Sequence, residues 1–261
     1  MKNIIQSLVL VLAVTASAAM PAKTQPAGDP WMEGKLLARQ AYNHYDKNLL
    51  LKAHDIFQRI YKADTFNNEA LYYVTLVEYK LLEMGARQDT EKLFDRYYDS
   101  ACEHTKILIG DKIFAAEGKT LLAAVYMMKI AGSPMSAVTL SSKIHSLLDD
   151  AEKIKPEFPR ISLVRGLMKY NTPRIFGGSY EDALKNFNKS ISLYEKQNED
   201  SASRDSGYLE ALTWAGRSQE QLENFEAALF FYKKVLSIEP DFGWVKYSLL
   251  PRLEEKLAKK N

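Results

Sequence analysis

Cysteine occurs once in the 261 residues, at Cys102, so no disulfide can form within the chain and packing alone must stabilise it. Charge of one sign is missing too. The 35 basic and 33 acidic residues leave a formal net charge of +2, which provides no global field for nucleic acid or an anionic membrane. Long apolar runs are absent: the apolar core of the amino-terminal segment, Ile4 to Val14, is too short to span a bilayer. Sustained period-two alternation between turn dipeptides is also missing, which argues against a sheet. With 46% hydrophobic and 26% charged residues, what remains is the composition of a folded soluble protein rather than a disordered one.

Signatures of chemistry are equally scarce. Gly118-Lys119-Thr120 has the ending of a phosphate loop, but Ile113 stands where the loop needs its first glycine, and helix precedes it. No serine lies in a nucleophile elbow, and paired acids such as Asp149-Asp150 suit a solvated face. His54, Cys102 and His145 share one repeat position, so stacked helices would hold them about 8–10 Å apart, too far for one zinc ion. They read as neutral side chains along a helix seam. Cys102 and His104, two positions apart, point to different faces. No metal, cofactor or catalytic residue is expected, and the third reading, an unrecognised enzyme, has no residue pattern behind it.

The amino-terminal segment carries a basic Lys2, the short apolar core and small residues at Ala16 and Ala18, the three parts of a secretory signal peptide. Residues 1–19 are therefore expected to direct export to the periplasm or outside, with cleavage near Ala18 or Ala19. Residues 20–30 form a leader rich in Pro and Ala, and 31–261 the folded domain. No cysteine stands at the cleavage site for a lipid anchor.

Within that domain one apolar stripe recurs in fixed register. It runs Phe225, Ala228, Leu229, Tyr232, Val235, Leu236, and again Tyr180, Ala183, Leu184, Phe187, Ser190, Ile191. Weaker copies are Leu50, Ala53, His54, Phe57, Ile60, Tyr61, then Tyr98, Ala101, Cys102, Thr105, Leu108, Ile109, and Ser141, Ile144, His145, Leu148, Ala151. A second helical segment precedes each stripe, so the unit is a helix hairpin, repeated five times. Helices are expected near 30–46, 49–63, 67–84, 89–109, 112–131, 134–154, 158–170, 179–198, 205–222 and 224–238. A last amphipathic stretch, 242–259, breaks at Pro251. Asp29, Ser133, Ser179 and Asn224 stand where N-caps belong, and Asn198 to Gly207 is a polar linker.

The final hairpin resembles a tetratricopeptide repeat, with Leu212, Ala215, Gly216, Ala228, Tyr232 and Pro240 in that family's slots. Gln219 stands in the slot usual for Tyr. The hairpin before it supplies Gly166, Ala183 and Phe187. The resemblance implies an all-α solenoid of about five antiparallel hairpins with a C-terminal capping helix; a solenoid of the HEAT type is the alternative. It also implies a non-catalytic scaffold that binds a protein or peptide in its concave groove. There the first helix of each hairpin offers Thr213 and Arg217, beside Tyr170 and Arg174. A weaker resemblance, carried by a proline, an aromatic and Gly177-Gly178 before a repeat helix, is to the T component of TRAP transporters. It implies a carrier of a small apolar ligand. Pro173 to Ser179 itself reads as a turn, which leaves two side chains, Arg174 and the buried-looking Phe176, for a recognition role.

Overall fold

The computed structural model describes residues 29–88, 92–197 and 206–260. The signal segment, most of the leader and most of the polar linker lie outside the described residues. Among the described residues there are eleven α-helices and no strand, in five consecutive hairpins and a cap. The hairpins pair α1 (Pro30–His44) with α2 (Lys47–Ala63), α3 (Asn68–Gln88) with α4 (Leu93–Gly110), and α5 (Ala115–Gly132) with α6 (Ala137–Ile154). They continue with α7 (Pro159–Asn171) and α8 (Tyr180–Lys196), then α9 (Gly207–Gln221) and α10 (Phe225–Ile238). A π turn, Val245–Leu249, leads into α11 (Leu250–Lys260).

The stripe decides the packing. Ala53, Ala101, Ala183 and Ala228 are 0% exposed and Ile144 is 2% exposed, each on the second helix of its hairpin. One turn later, Phe57, Thr105, Leu148, Phe187 and Tyr232 are fully buried as well. The aromatic members need room on the facing helix, and glycine makes it: a Cβ on Gly166 would stand 2.4 Å from the Phe187 ring, and one on Gly216 2.6 Å from Tyr232. Gly118 plays the same part inside α5, where a Cβ would meet the Ile109 backbone nitrogen at 2.8 Å. The Gly-Lys-Thr triplet is therefore a packing feature.

Two expected caps form and two do not. Asp29 accepts from the Trp31 N–H at 3.0 Å, and Ser179 Oγ from the Asp182 N–H at 3.0 Å. Ser133 instead precedes a 3₁₀ turn, Pro134–Ser136, and makes no side-chain cap; Asn224 turns its amide to Gln219 Oε1. At Pro251 the expected break is a π turn. The proline has no N–H for the preceding ladder, so the hydrogen bonds widen before it while the chain stays helical.

The first helices of the second to fifth hairpins form an inner layer: α3 packs on α5, α5 on α7 and α7 on α9. These helices are enclosed on nearly every side, as Leu121 to Val125 and Leu209 to Gly216 show by being buried without a break. The superhelix also closes on itself. Lys80 of α3 donates to Glu210 of α9 at 2.7 Å, Arg39 of α1 to Glu239 at 3.0 Å, and the Tyr42 and Phe242 rings lie 5.5 Å apart. The cap covers the last hairpin with Phe242, Val245, Leu249 and Leu253, all buried. It is pinned by Arg252 and Lys256, which donate to the buried Glu220 at 3.0 and 2.8 Å.

Candidate binding surfaces

Closure of the superhelix changes the setting of the four residues expected in the groove. Thr213 is 0% exposed, and its hydroxyl donates to the Leu209 carbonyl at 2.7 Å. The expectation that it faces a partner is corrected: the inner layer leaves no opening at that position. Tyr170 and Arg217 do come together. The Arg217 guanidinium carbon lies 4.5 Å from the Trp214 ring centre, 5.0 Å from Tyr170 and 5.3 Å from Trp244. Tyr170 and Trp214 meet edge to face at 4.9 Å. A cation over such faces is held by ring quadrupoles, at about 0.5–2 kcal/mol for a contact. Burial pushes the Tyr170 phenol up from its ordinary pKa, against the nearby Arg217 charge. The half-buried pair is thus part of the packing as well as of the surface.

Arg174 lies in the turn after α7, and the turn is tightly built. It opens as a 3₁₀ turn, Arg174–Phe176. The Gly178 N–H donates to the Pro173 carbonyl at 3.2 Å and the Ser179 N–H to the Lys169 carbonyl at 3.1 Å. Lys169 Nζ closes it from outside on the Gly177 carbonyl at 3.1 Å. Gly177 has φ +89°, open to glycine at no cost, and a Cβ on Gly178 would collide with the Thr172 carbonyl oxygen. Pro173 to Ser179 is thus a turn, as its residues imply. Phe176, however, is not buried: it is 74% exposed and Ile175 is 85% exposed, beside the exposed Arg174.

A second surface has no counterpart in the sequence motifs. Between α2 and α4, with α3 as its floor, lies an open groove of about 750 Å³ lined by His54, Arg59, Lys62, Glu78, Arg96 and His104 among others. Glu78 has 1% of its side chain exposed. His104 Nδ1 sits 2.8 Å and His54 Nε2 3.5 Å from its oxygens, and Ser100 Oγ donates at 2.8 Å. Burial works to raise the Glu78 pKa; the hydrogen bonds from His104 and His54 outweigh it and hold the carboxyl below its ordinary value. The one signal in the sequence is an acid between Val77 and Tyr79 on a buried face, which demands partners. His54 and Cys102 are half-buried along the seam as expected, whereas His145 is exposed. Among the described residues no three His, Cys, Asp or Glu side chains are grouped to hold a metal.

Comparison with known proteins agrees with this architecture. Residues 209–242, which span α9 and α10, match the tetratricopeptide repeat family model. The crystal structure of a thermophilic TPR protein in Thermus thermophilus superposes with a TM-score of 0.58 at 19% identity, covering 86% of this chain and 99% of that one. No curated protein matches the sequence. Nothing in these comparisons supports the likeness to the T component of TRAP transporters. Residues 209–242 thus carry a tetratricopeptide repeat, and the chain over most of its length shares the fold of a solved TPR protein.

Proposed function

We propose that the chain is an exported, non-catalytic scaffold that holds a protein partner on its outer surface at the α7–α8 turn. The fold belongs to scaffolds of this kind. The observation that carries the reading is a hydrogen-bonded turn that presents Ile175 and Phe176, 85% and 74% exposed, to water beside Arg174. A hydrogen-bonded loop that holds large apolar side chains outward is a docking feature. Tyr170 and Tyr180, which flank the turn, meet ring to ring at 5.1 Å. The alternative of a small apolar ligand has less behind it: the cavity at the inner seam, lined by Tyr42, Leu50, Lys80 and Met84, measures about 20 Å³, against ~300 Å³ or more for ligand pockets, and the larger groove between α2 and α4 is lined mostly by charged and polar side chains. Export rests on the signal pattern of residues 1–19, and among the described residues no helix is long and apolar enough to cross a membrane.

The test is a quantitative pull-down from periplasmic extract of the host with the parent and with Arg174→Ala/Ile175→Ser/Phe176→Ser. All three side chains are exposed, so stability should change by no more than about 0.5 kcal/mol per site. A partner retained by the parent and lost by the variant at equal melting temperature is expected; equal retention would remove the turn from the interface. Amino-terminal sequencing of the native protein should find a start after Ala18 or Ala19, and an intact Met1 would refute export by cleavage.

A further inference from the structure

We infer that the groove between α2 and α4 is a second binding surface, taking an acidic peptide segment whose carboxylates pair with Arg59, Lys62 and Arg96. The cations around it set this place apart. Many cations at the helix seams are paired: Lys155 with Glu117, Arg165 with Asp149 and Glu152, Lys234 with Glu195. At the groove, among the described residues, no carboxylate forms an ion pair with Arg59, Lys62 or Arg96. Arg59 reaches the Asp55 backbone carbonyl at 3.4 Å, and Arg96 rests over the Tyr97 ring at 5.1 Å. Three exposed cations therefore converge on one groove with only Asp55 and the floor Glu78 as acids along its lining.

The floor tolerates an anion above it. Glu78 is buried beneath the groove and turns both oxygens to N–H and O–H donors from α2 and α4, so neither oxygen is presented to a bound anion. The His54 and Tyr97 rings close the floor edge to face at 5.3 Å, joining the two helices under the groove. The arrangement of the cations selects the ligand. Arg59 and Lys62 stand one turn apart on α2, about 5–6 Å between Cβ atoms, while Arg96 comes from the opposite wall. Charges spread along both walls suit successive carboxylates of a chain lying in the groove. A single phosphate would need them to converge on one point with backbone N–H donors, as at a helix N-terminus. Planar guanidinium groups on facing walls also favour carboxylate geometry. The surface is independent of the α7–α8 turn, so the two can serve different partners or two parts of one.

The experiment uses purified full-length protein and fluorescein-labelled octaglutamate, with octalysine as the opposite-charge probe, read by anisotropy. The parent should bind octaglutamate and ignore octalysine. Arg59→Ala/Lys62→Ala/Arg96→Ala should weaken octaglutamate binding about tenfold or more, since three partly screened pairs are lost. Lys143→Ala/Lys185→Ala/Lys233→Ala removes the same charge from exposed positions on α6, α8 and α10 and should stay within about twofold of the parent. Equal weakening by both triple variants would reduce the effect to net charge and overturn the site. Absence of octaglutamate binding would overturn the ligand class, as would competition by inorganic phosphate stronger than sodium chloride of equal ionic strength. Failure here leaves the turn's partner untouched, because no extract is involved.

Discussion

Replacing Lys80 should unseat the closure of the superhelix. Its ammonium lies 2.7 Å from Glu210 Oε2 and 3.1 Å from Glu83, with the Tyr42 ring 4.7 Å away. The Lys80 and Glu210 side chains are 7% and 1% exposed, so neither charge has water to fall back on. Removing one partner of such a buried pair costs about 3–5 kcal/mol, because the other charge is stranded. For a domain of this size each kcal/mol moves the melting temperature by about 2–4 °C, so Lys80→Met should melt about 10 °C below the parent. Burial already pushes the Glu210 carboxyl up, with Lys80 opposing it. Without the lysine that opposition vanishes and Glu210 keeps its proton further up the pH scale. A group with a raised folded pKa loses its stability as pH rises through that pKa, so the deficit should be smaller at low pH than at high. Lys80→Met/Glu210→Leu leaves no stranded charge at that contact and should regain most of the loss. Circular dichroism melts of the parent, both single variants and the double variant form the cycle. Single variants that cost less than about 1 kcal/mol, the worth of an exposed pair, or losses that simply add, would show that α3 and α9 do not meet.

Three further outcomes follow from the packing. Gly166→Ala should destabilise by about 1–3 kcal/mol through collision with the Phe187 ring, although alanine is the better helix former by about 1 kcal/mol; Gly110→Ala, with nothing within 4 Å of the new Cβ, should not. Ala228→Leu should lower the melting temperature by overpacking the α9–α10 seam while the exposed Lys233→Leu leaves it unchanged, and equal effects would break the register. Burial works to raise the Glu220 pKa, but Lys256 and Arg252 prevail and hold it below its ordinary value. That contribution is present above the unfolded carboxyl pKa and lost as pH falls through the folded one. Acidification below about pH 4 should therefore loosen α11, seen as faster amide exchange in residues 250–259, and Glu220→Gln should loosen it already at neutral pH.

The hairpins and their register are legible in the sequence because a one-face stripe leaves a helix a single way to bury itself. Ala53, Ala101, Ile144, Ala183 and Ala228 mark the five seams, and all five are buried. The closure is not legible. Lys80 and Glu210 are 130 residues apart, and their meeting depends on small rotations added from hairpin to hairpin. The family's habit puts Thr213 in an open groove, and the same curvature buries it. Phe176 has the character of core because apolar side chains usually are core, but the hydrogen bonds of its turn hold it outward. The Glu78 cluster needs residues from α2, α3 and α4, which no single stripe connects. Tyr170 and Arg217 stand together in sequence logic and in space, while the Trp214 and Trp244 rings that hold the guanidinium look like ordinary packing until the helices are assembled.

The central claim is that the inner layer is closed and a partner docks outside, at the α7–α8 turn. Site-specific photocrosslinking in the host tests it most directly, with p-benzoylphenylalanine placed at position 176 or, as a control, at Met135, which is 79% exposed in the α5–α6 connection. Position 176 should give a discrete adduct with one partner, and position 135 none. Adducts of equal yield at both positions, or at 135 alone, would contradict the account.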